Sequence, residues 1–133
     1  MAGVRGRDRG LGRRQRRAVS VPTARQGDVW DCALDPTAGH EQAGQRPYLV
    51  ISVDELGTGP SELAIVVPLP RTTRTSLDVA VEPPEGGLDA RSYAMPYQVR
   101  TISRERLRSR RGVVRQATLA QTIARVHLLT RSR

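Results

Sequence analysis

Apolar and polar residues alternate through DVWDCAL (28–34): Val29, Asp31 and Ala33 fall on one side, Trp30, Cys32 and Leu34 on the other, the period of two that marks a strand. Two β-branched apolar runs follow, PYLVISV (47–53) and LAIVVPL (63–69), each reading as a buried strand, with Pro47 expected at a first strand position where no ladder donor is needed. SLDVAVE (76–82) alternates again, and SYAMP (92–96) and QVRTI (98–102) predict short strands. Between them, DPTAGHEQAGQR (35–46), DELGTGPSE (54–62) and PPEGG (83–87) carry the Gly, Pro and side-chain hydrogen-bonders of loops and turns. Only near the end does the period change. ATLAQTIARVHLL (117–129) sets Leu119, Ile123, Val126 and Leu129 on one helical face, and its start lacks a capping side chain, since Arg115 and Gln116 precede it and Thr118 is the sole capping type nearby. The pattern predicts a mainly β fold with α, a small barrel or sandwich of short strands with one amphipathic helix covering its open side.

Composition narrows this. A chain of 133 residues suffices for one modest core, and with no Phe that core must be built from Val, Leu, Ile and Ala. All 22 basic residues are Arg, and the net charge of +9 is unevenly spread: residues 1–25 carry eight Arg and one acid (+7), residues 26–133 fourteen Arg and twelve acids (+2). Residues 1–25 are therefore expected to be a disordered Arg/Gly-rich arm, and 26–133 the folded domain. A basic excess favours polyanions, with nucleic acid ahead of an anionic membrane surface. One cysteine excludes an internal disulfide, and Cys32, His40 and His127 have no metal-ligand spacing. A reducing cytoplasm fits, and no apolar run approaches the roughly 20 residues of a membrane span.

Candidate chemistry concentrates in HEQAGQRP (40–47), where an acid, two amides (Gln42, Gln45) and a guanidinium stand just before a buried strand. The strand fixes the base of the loop, so Arg46 sits at a reproducible position, and its planar fork suits a phosphate or charge developing on one. Glu41 could orient Arg46 or act as a general base, and a surface ion pair accounts for the same residues. Arg71, Thr72, Thr73 and Arg74 extend the strand LAIVVPL into a row of hydroxyls and guanidiniums. YQVRTISRERLRSRRGVVR (97–115) is a second basic concentration: Gln98 and Arg100 are expected on one face of a strand, and the later Arg residues about a short turn or helix, lining a groove or forming a solvated face. Cys32 reads as a small buried hydrophobe, Trp30 as a core anchor or a base-stacking ring, and His127 as a favourable charge at a helix end.

Taken in order, GDVWDCALDPTAGHEQAGQRPYLVIS, AIVVPL, VEPPEGGL and QVRTI resemble the MazF/PemK family of toxins over about residues 26–130. The resemblance implies an SH3-like β-barrel closed by the C-terminal helix, acting as a homodimer on single-stranded RNA and neutralised by an antitoxin with an acidic C-terminal segment. It implies cofactor- and metal-independent cleavage, in which the ribose 2′-hydroxyl attacks the neighbouring phosphorus to leave a 2′,3′-cyclic phosphate and a 5′-hydroxyl. Arg46 matches the family's catalytic arginine and Glu41 the acid of its EQAG loop; Gln98 and Arg100 match a polar strand on the substrate side. The hydroxyl residue usual after VPL is here Pro70, which lacks both a side-chain donor and an N–H. Either Thr72 or Thr73 replaces that hydroxyl, or the chain binds RNA or a protein partner without turnover.

Overall fold

The structure is a computed structural model that describes residues 21–34 and 45–132. Five strands form one antiparallel sheet in the order β6-β3-β2-β1-β7: β1 (Asp28–Ala33), β2 (Gln45–Val50), β3 (Leu63–Pro68), β6 (Arg100–Ser103) and β7 (Leu107–Val113). A two-stranded ribbon of β4 (Val79–Val81) and β5 (Ser92–Ala94) packs beside it, a four-residue helix α1 (Asp54–Gly57) joins β2 to β3, and α2 (Gln116–Thr130) ends the fold. The mainly β architecture with a C-terminal helix agrees with the sequence pattern. The sheet does not close, since β6 and β7 are its edges and no ladder joins them among the described residues.

Both faces of the sheet are covered, each by its own apolar cluster, and the alternation seen in DVWDCAL decides which residue serves which. Val29, Leu49, Val67 and Leu69 face Val79, Val81, Leu88 and Ala94 of the ribbon region and Leu119 of α2. Cys32, Val50, Ala64, Val66, Ile102 and Leu107 form the second cluster, with Trp30, Leu34 and Tyr48 packed against it. Ala24 belongs to this cluster, and its N–H donates to the Gly57 carbonyl at 2.9 Å while Arg25 pairs with Asp54 at 3.3 Å. The folded unit thus starts before residue 26, the boundary expected from charge; the rest of the expected arm, residues 1–20, lies outside the described residues.

Several elements differ from their predicted extent for physical reasons. β2 begins at Gln45, so Pro47 is its third residue; the Pro47 carbonyl accepts from the Leu69 N–H at 3.1 Å, which turns its donor-less nitrogen toward β3 where that ladder is ending. Only Val79–Val81 of SLDVAVE is strand, because Asp78 folds the preceding residues into a turn. Gln98 closes a 3-10 turn, Pro96–Gln98, rather than sharing a strand with Arg100. The short turn or helix expected among the later arginines is the 3-10 turn Arg104–Arg106, and LRSRRGV after it is a full strand: Arg111 pairs with Asp31 at 2.9 Å, Ser109 donates to Asp31 at 3.1 Å and Arg110 pairs with Asp28 at 3.1 Å. The acids of β1 neutralise the arginines that would otherwise repel along β7. Arg104, grouped with a solvated basic face, is buried, and its guanidinium donates to the carbonyls of Gly57 and Gly59.

The helix start that lacked a cap in the sequence is capped from outside. Glu85, in the turn between β4 and β5, accepts from the Arg115 N–H at 2.9 Å, and its other oxygen stands 3.1 Å from the Arg115 guanidinium in an ion pair too poorly aligned for a hydrogen bond. On α2, Leu119 is buried and Ile123 and Val126 pack on the first cluster, but Leu129 is exposed and leaves the expected face.

Candidate nucleic-acid interface

Strand register assembles the site. β1 and β2 pair Cys32 with Arg46 and Trp30 with Tyr48, while β2 and β3 pair Tyr48 with Pro68. The Leu69 N–H to Pro47 carbonyl bond carries that pairing one step further, and the same register sets Pro70 across from Arg46. Residues paired directly across antiparallel strands point to one face, so Arg46, Tyr48 and the Pro70 position share the side of the sheet that holds the second cluster. Arg100 joins them from the edge, paired with Val66, which is itself across from Val50.

Tyr48 is the centre of this group. Burial pushes its phenol above the ordinary value, the Arg100 guanidinium pulls it down, Cys32 pushes it up and Arg46 pulls it down again. Both guanidiniums therefore lie close enough to act on one ring. Arg46 and Arg100 are exposed, and neither forms an ion pair with a described carboxylate, in contrast to Arg110, Arg111 and Arg115, which do. Two exposed cations beside a half-buried phenol present donors to an anion without first having to break an internal pair. Sequence reasoning passed over Tyr48; the alternation of QRPYLV, which puts it on the same face as Arg46, is the signal that identifies it.

The loop after β3 forms the neighbouring rim. Pro70 is half-buried and its carbonyl accepts from the Tyr93 N–H at 2.8 Å, so its backbone is committed to β5. Arg71 is exposed and 3.5 Å from Asp89. Thr73 donates its hydroxyl to Asp78 at 2.8 Å, whereas the Thr72 hydroxyl is exposed and makes no hydrogen bond to a described residue. The Arg74 side chain is likewise exposed and forms no hydrogen bond or ion pair with a described residue. Of the other expected residues, Gln98 is exposed at the end of its 3-10 turn, Gln45 alternates onto the opposite face with Pro47, and Glu41 and Gln42 lie outside the described residues.

The remaining candidates take structural roles. Cys32 is fully buried, and burial, with the Asp31 carboxylate adding and Arg108 opposing, raises its thiol to about 12. Trp30 packs on the second cluster with its indole N–H 3.4 Å from Asp28. His127 is exposed in the last turn of α2. Among the described residues, no three His, Cys, Asp or Glu side chains group as metal ligands, and no helix is long and apolar enough to cross a membrane.

Comparison with known proteins shows the family and the fold. Residues 25–130 match the family described as PemK-like, MazF-like toxin of type II toxin-antitoxin system. Endoribonuclease MazF9 of Mycobacterium tuberculosis is 32% identical over 103 residues, covering 73% of this chain and 87% of the relative. Among solved structures, MazF from Deinococcus radiodurans superposes with a TM-score of 0.66 at 22% identity over 80% of this chain and 96% of that one. An endoribonuclease in complex with its cognate antitoxin from a mycobacterial species superposes with a TM-score of 0.63 at 20% identity, over 82% and 92% of the two chains.

Proposed function

This chain belongs to the PemK-like, MazF-like toxins of type II toxin–antitoxin systems, and we propose that it is an endoribonuclease that cuts single-stranded RNA without a metal, by attack of the ribose 2′-hydroxyl on the adjacent phosphorus. The nucleophile then belongs to the substrate, and the protein's task is to neutralise and orient. Arg46 donates to the phosphorane oxygens as their charge grows; its guanidinium, with a pKa above about 12, stays protonated and acts electrostatically rather than as a base. Glu41 orients Arg46 or takes the 2′-hydroxyl proton. Arg100 and Gln98 hold flanking nucleotides, with Gln42, Gln45, Arg71, Thr73 and Arg74 as the wider binding surface. A homodimer with an SH3-like barrel in each subunit, cytoplasmic, and an antitoxin whose acidic segment covers the Arg46–Arg100 face complete the proposal.

The observation that carries it is the pair of exposed guanidiniums, Arg46 and Arg100, set about Tyr48 with no described acid against them. The hydroxyl lost at Pro70 is supplied by Thr72, since the Thr73 hydroxyl is already given to Asp78. Pro70 across from Arg46 also favours a second reading, an RNA-binding module without turnover. Purified protein incubated with a long RNA in EDTA, with cut ends mapped, separates the two. The first reading expects discrete cuts with 5′-hydroxyl ends, lost in Arg46→Ala by roughly 10²-fold or more and weakened in Thr72→Ala. Cleavage unchanged in Arg46→Ala refutes the mechanism; cleavage gained only in Pro70→Thr establishes the second reading.

A further inference from the structure

The loop that carries Arg71, Thr72 and Arg74 is shaped by a single carboxylate. We propose that Asp78 is a positioning residue for RNA, latching residues 73–78 so that Thr72 and the Arg74 guanidinium hold fixed positions on the rim that follows Pro70. Three donors converge on Asp78 Oδ2: the Thr73 hydroxyl at 2.8 Å, the Arg74 N–H at 2.7 Å and the Thr75 N–H at 3.1 Å. Oδ1 accepts from the Thr75 hydroxyl at 3.2 Å, and that hydroxyl oxygen accepts in turn from the Leu77 N–H at 3.0 Å.

The latch is itself anchored. Arg125 of α2 donates one guanidinium nitrogen to the Leu77 carbonyl at 2.9 Å and to the Asp78 carbonyl at 3.0 Å, and the next residue, Val79, is buried in the first cluster. Burial alone would raise the Asp78 carboxyl, yet the bonds from Arg74, Thr75 and Thr73 outweigh it and hold the group at about 2, so the latch stays charged throughout the physiological range. Residues 71–76 are all exposed and make few packing contacts of their own. Without Asp78 they would have to be ordered at the moment RNA binds, at a cost in affinity. The latch also discriminates between the two threonines: it occupies Thr73 and leaves Thr72.

This inference rests on the RNA reading above, and the test separates the two. Asp78→Ala, Asp78→Asn, Thr73→Val and Arg74→Ala, and the double variant Asp78→Ala/Arg74→Ala, are compared in the full chain for kcat/KM on a reporter RNA and for binding of a labelled RNA by anisotropy. Asp78→Ala is expected to lose about 10-fold in both, Asp78→Asn and Thr73→Val about 3-fold, and the double variant no more than the greater of its single variants, because the two act as one unit. A merely structural role would make the losses multiply. Wild-type kcat/KM and binding in Thr73→Val and Asp78→Asn, or multiplying losses in the double variant, overturn the proposal even if Asp78→Ala folds poorly. Normal cleavage in Arg46→Ala would instead refute the RNA-cleavage mechanism, and the binding cycle would still decide the role of Asp78.

Discussion

Removing the Glu85 carboxylate should destabilise the protein through the start of α2, and the size follows from what that carboxylate touches. It accepts from the Arg115 N–H at 2.9 Å at the head of the helix, with its side chain only 7% exposed. Loss of a capping acceptor costs about 0.5–2 kcal/mol, and loss of a negative charge at a partly buried helix N-terminus about 0.3–2 kcal/mol. The Arg115 guanidinium is 76% exposed, so its ion pair adds little. Glu85→Ala should therefore cost about 2 kcal/mol and Glu85→Gln about 1 kcal/mol, and in a domain of this size the first is a fall in Tm of about 7–9 °C. Thermal unfolding followed by far-UV circular dichroism measures it.

The pH dependence supplies a second check. Burial would raise the Glu85 carboxyl, but the Thr118 hydroxyl, the Arg115 N–H and the Arg115 guanidinium together hold it below its ordinary value. A carboxyl depressed in the folded state contributes fully above its unfolded pKa, about 4.3, and loses that contribution as pH falls through the folded value. The gap between wild type and Glu85→Ala should thus be full at pH 7 and shrink below about pH 4. A variant melting within about 2 °C of wild type at neutral pH, against the shift worked from the cap, would refute the capping role, as would a gap of equal size at low pH.

Three other outcomes follow. Arg104→Met, which leaves the carbonyls of Gly57 and Gly59 without their buried donor, should cost about 3 kcal/mol by urea unfolding, so an unchanged midpoint would contradict the buried role. Arg46→Ala and Arg100→Ala should each reduce the slope of log affinity against log salt for single-stranded RNA by about 0.7, whereas Arg110→Ala, whose partner is Asp28, should leave it unchanged. Cys32, buried and raised to about 12, should resist a thiol reagent at pH 8 in the native protein and react at once in denaturant; rapid native labelling would show it accessible.

The sheet faces were legible because period-two alternation in DVWDCAL and the apolar runs of β2 and β3 report burial directly. The strand β7 was not, since its arginines obscure any alternation and the acids that neutralise them, Asp28 and Asp31, stand some eighty positions away in β1. The cap of α2 was invisible for the same reason: local sequence offers Arg115 and Gln116, and the acceptor arrives from Glu85 thirty positions earlier. Arg46 could be picked out as a residue from its loop, and the alternation of QRPYLV sets Tyr48 on its face. Only the pairing of β2 with β3, and of β3 with β6, brings Pro70 and Arg100 to them.

The two connections flanking β4 differ in what they are packed against, although both are written in turn-forming residues. Gly86 and Gly87 adopt φ of +68° and +70°; a Cβ at Gly86 would meet Val29 at 2.9 Å and one at Gly87 the Arg111 carbonyl, while Glu85 reaches the helix. That turn is wedged among β1, β7 and α2, and an insertion there would be felt in three elements at once. Residues 71–76 are exposed and are held through side chains, Arg71 by Asp89 and residues 73–75 by Asp78. A change in the first connection is therefore felt by the Asp78 latch and the loop it holds, whereas one at Gly86 or Gly87 reaches the sheet and the helix together.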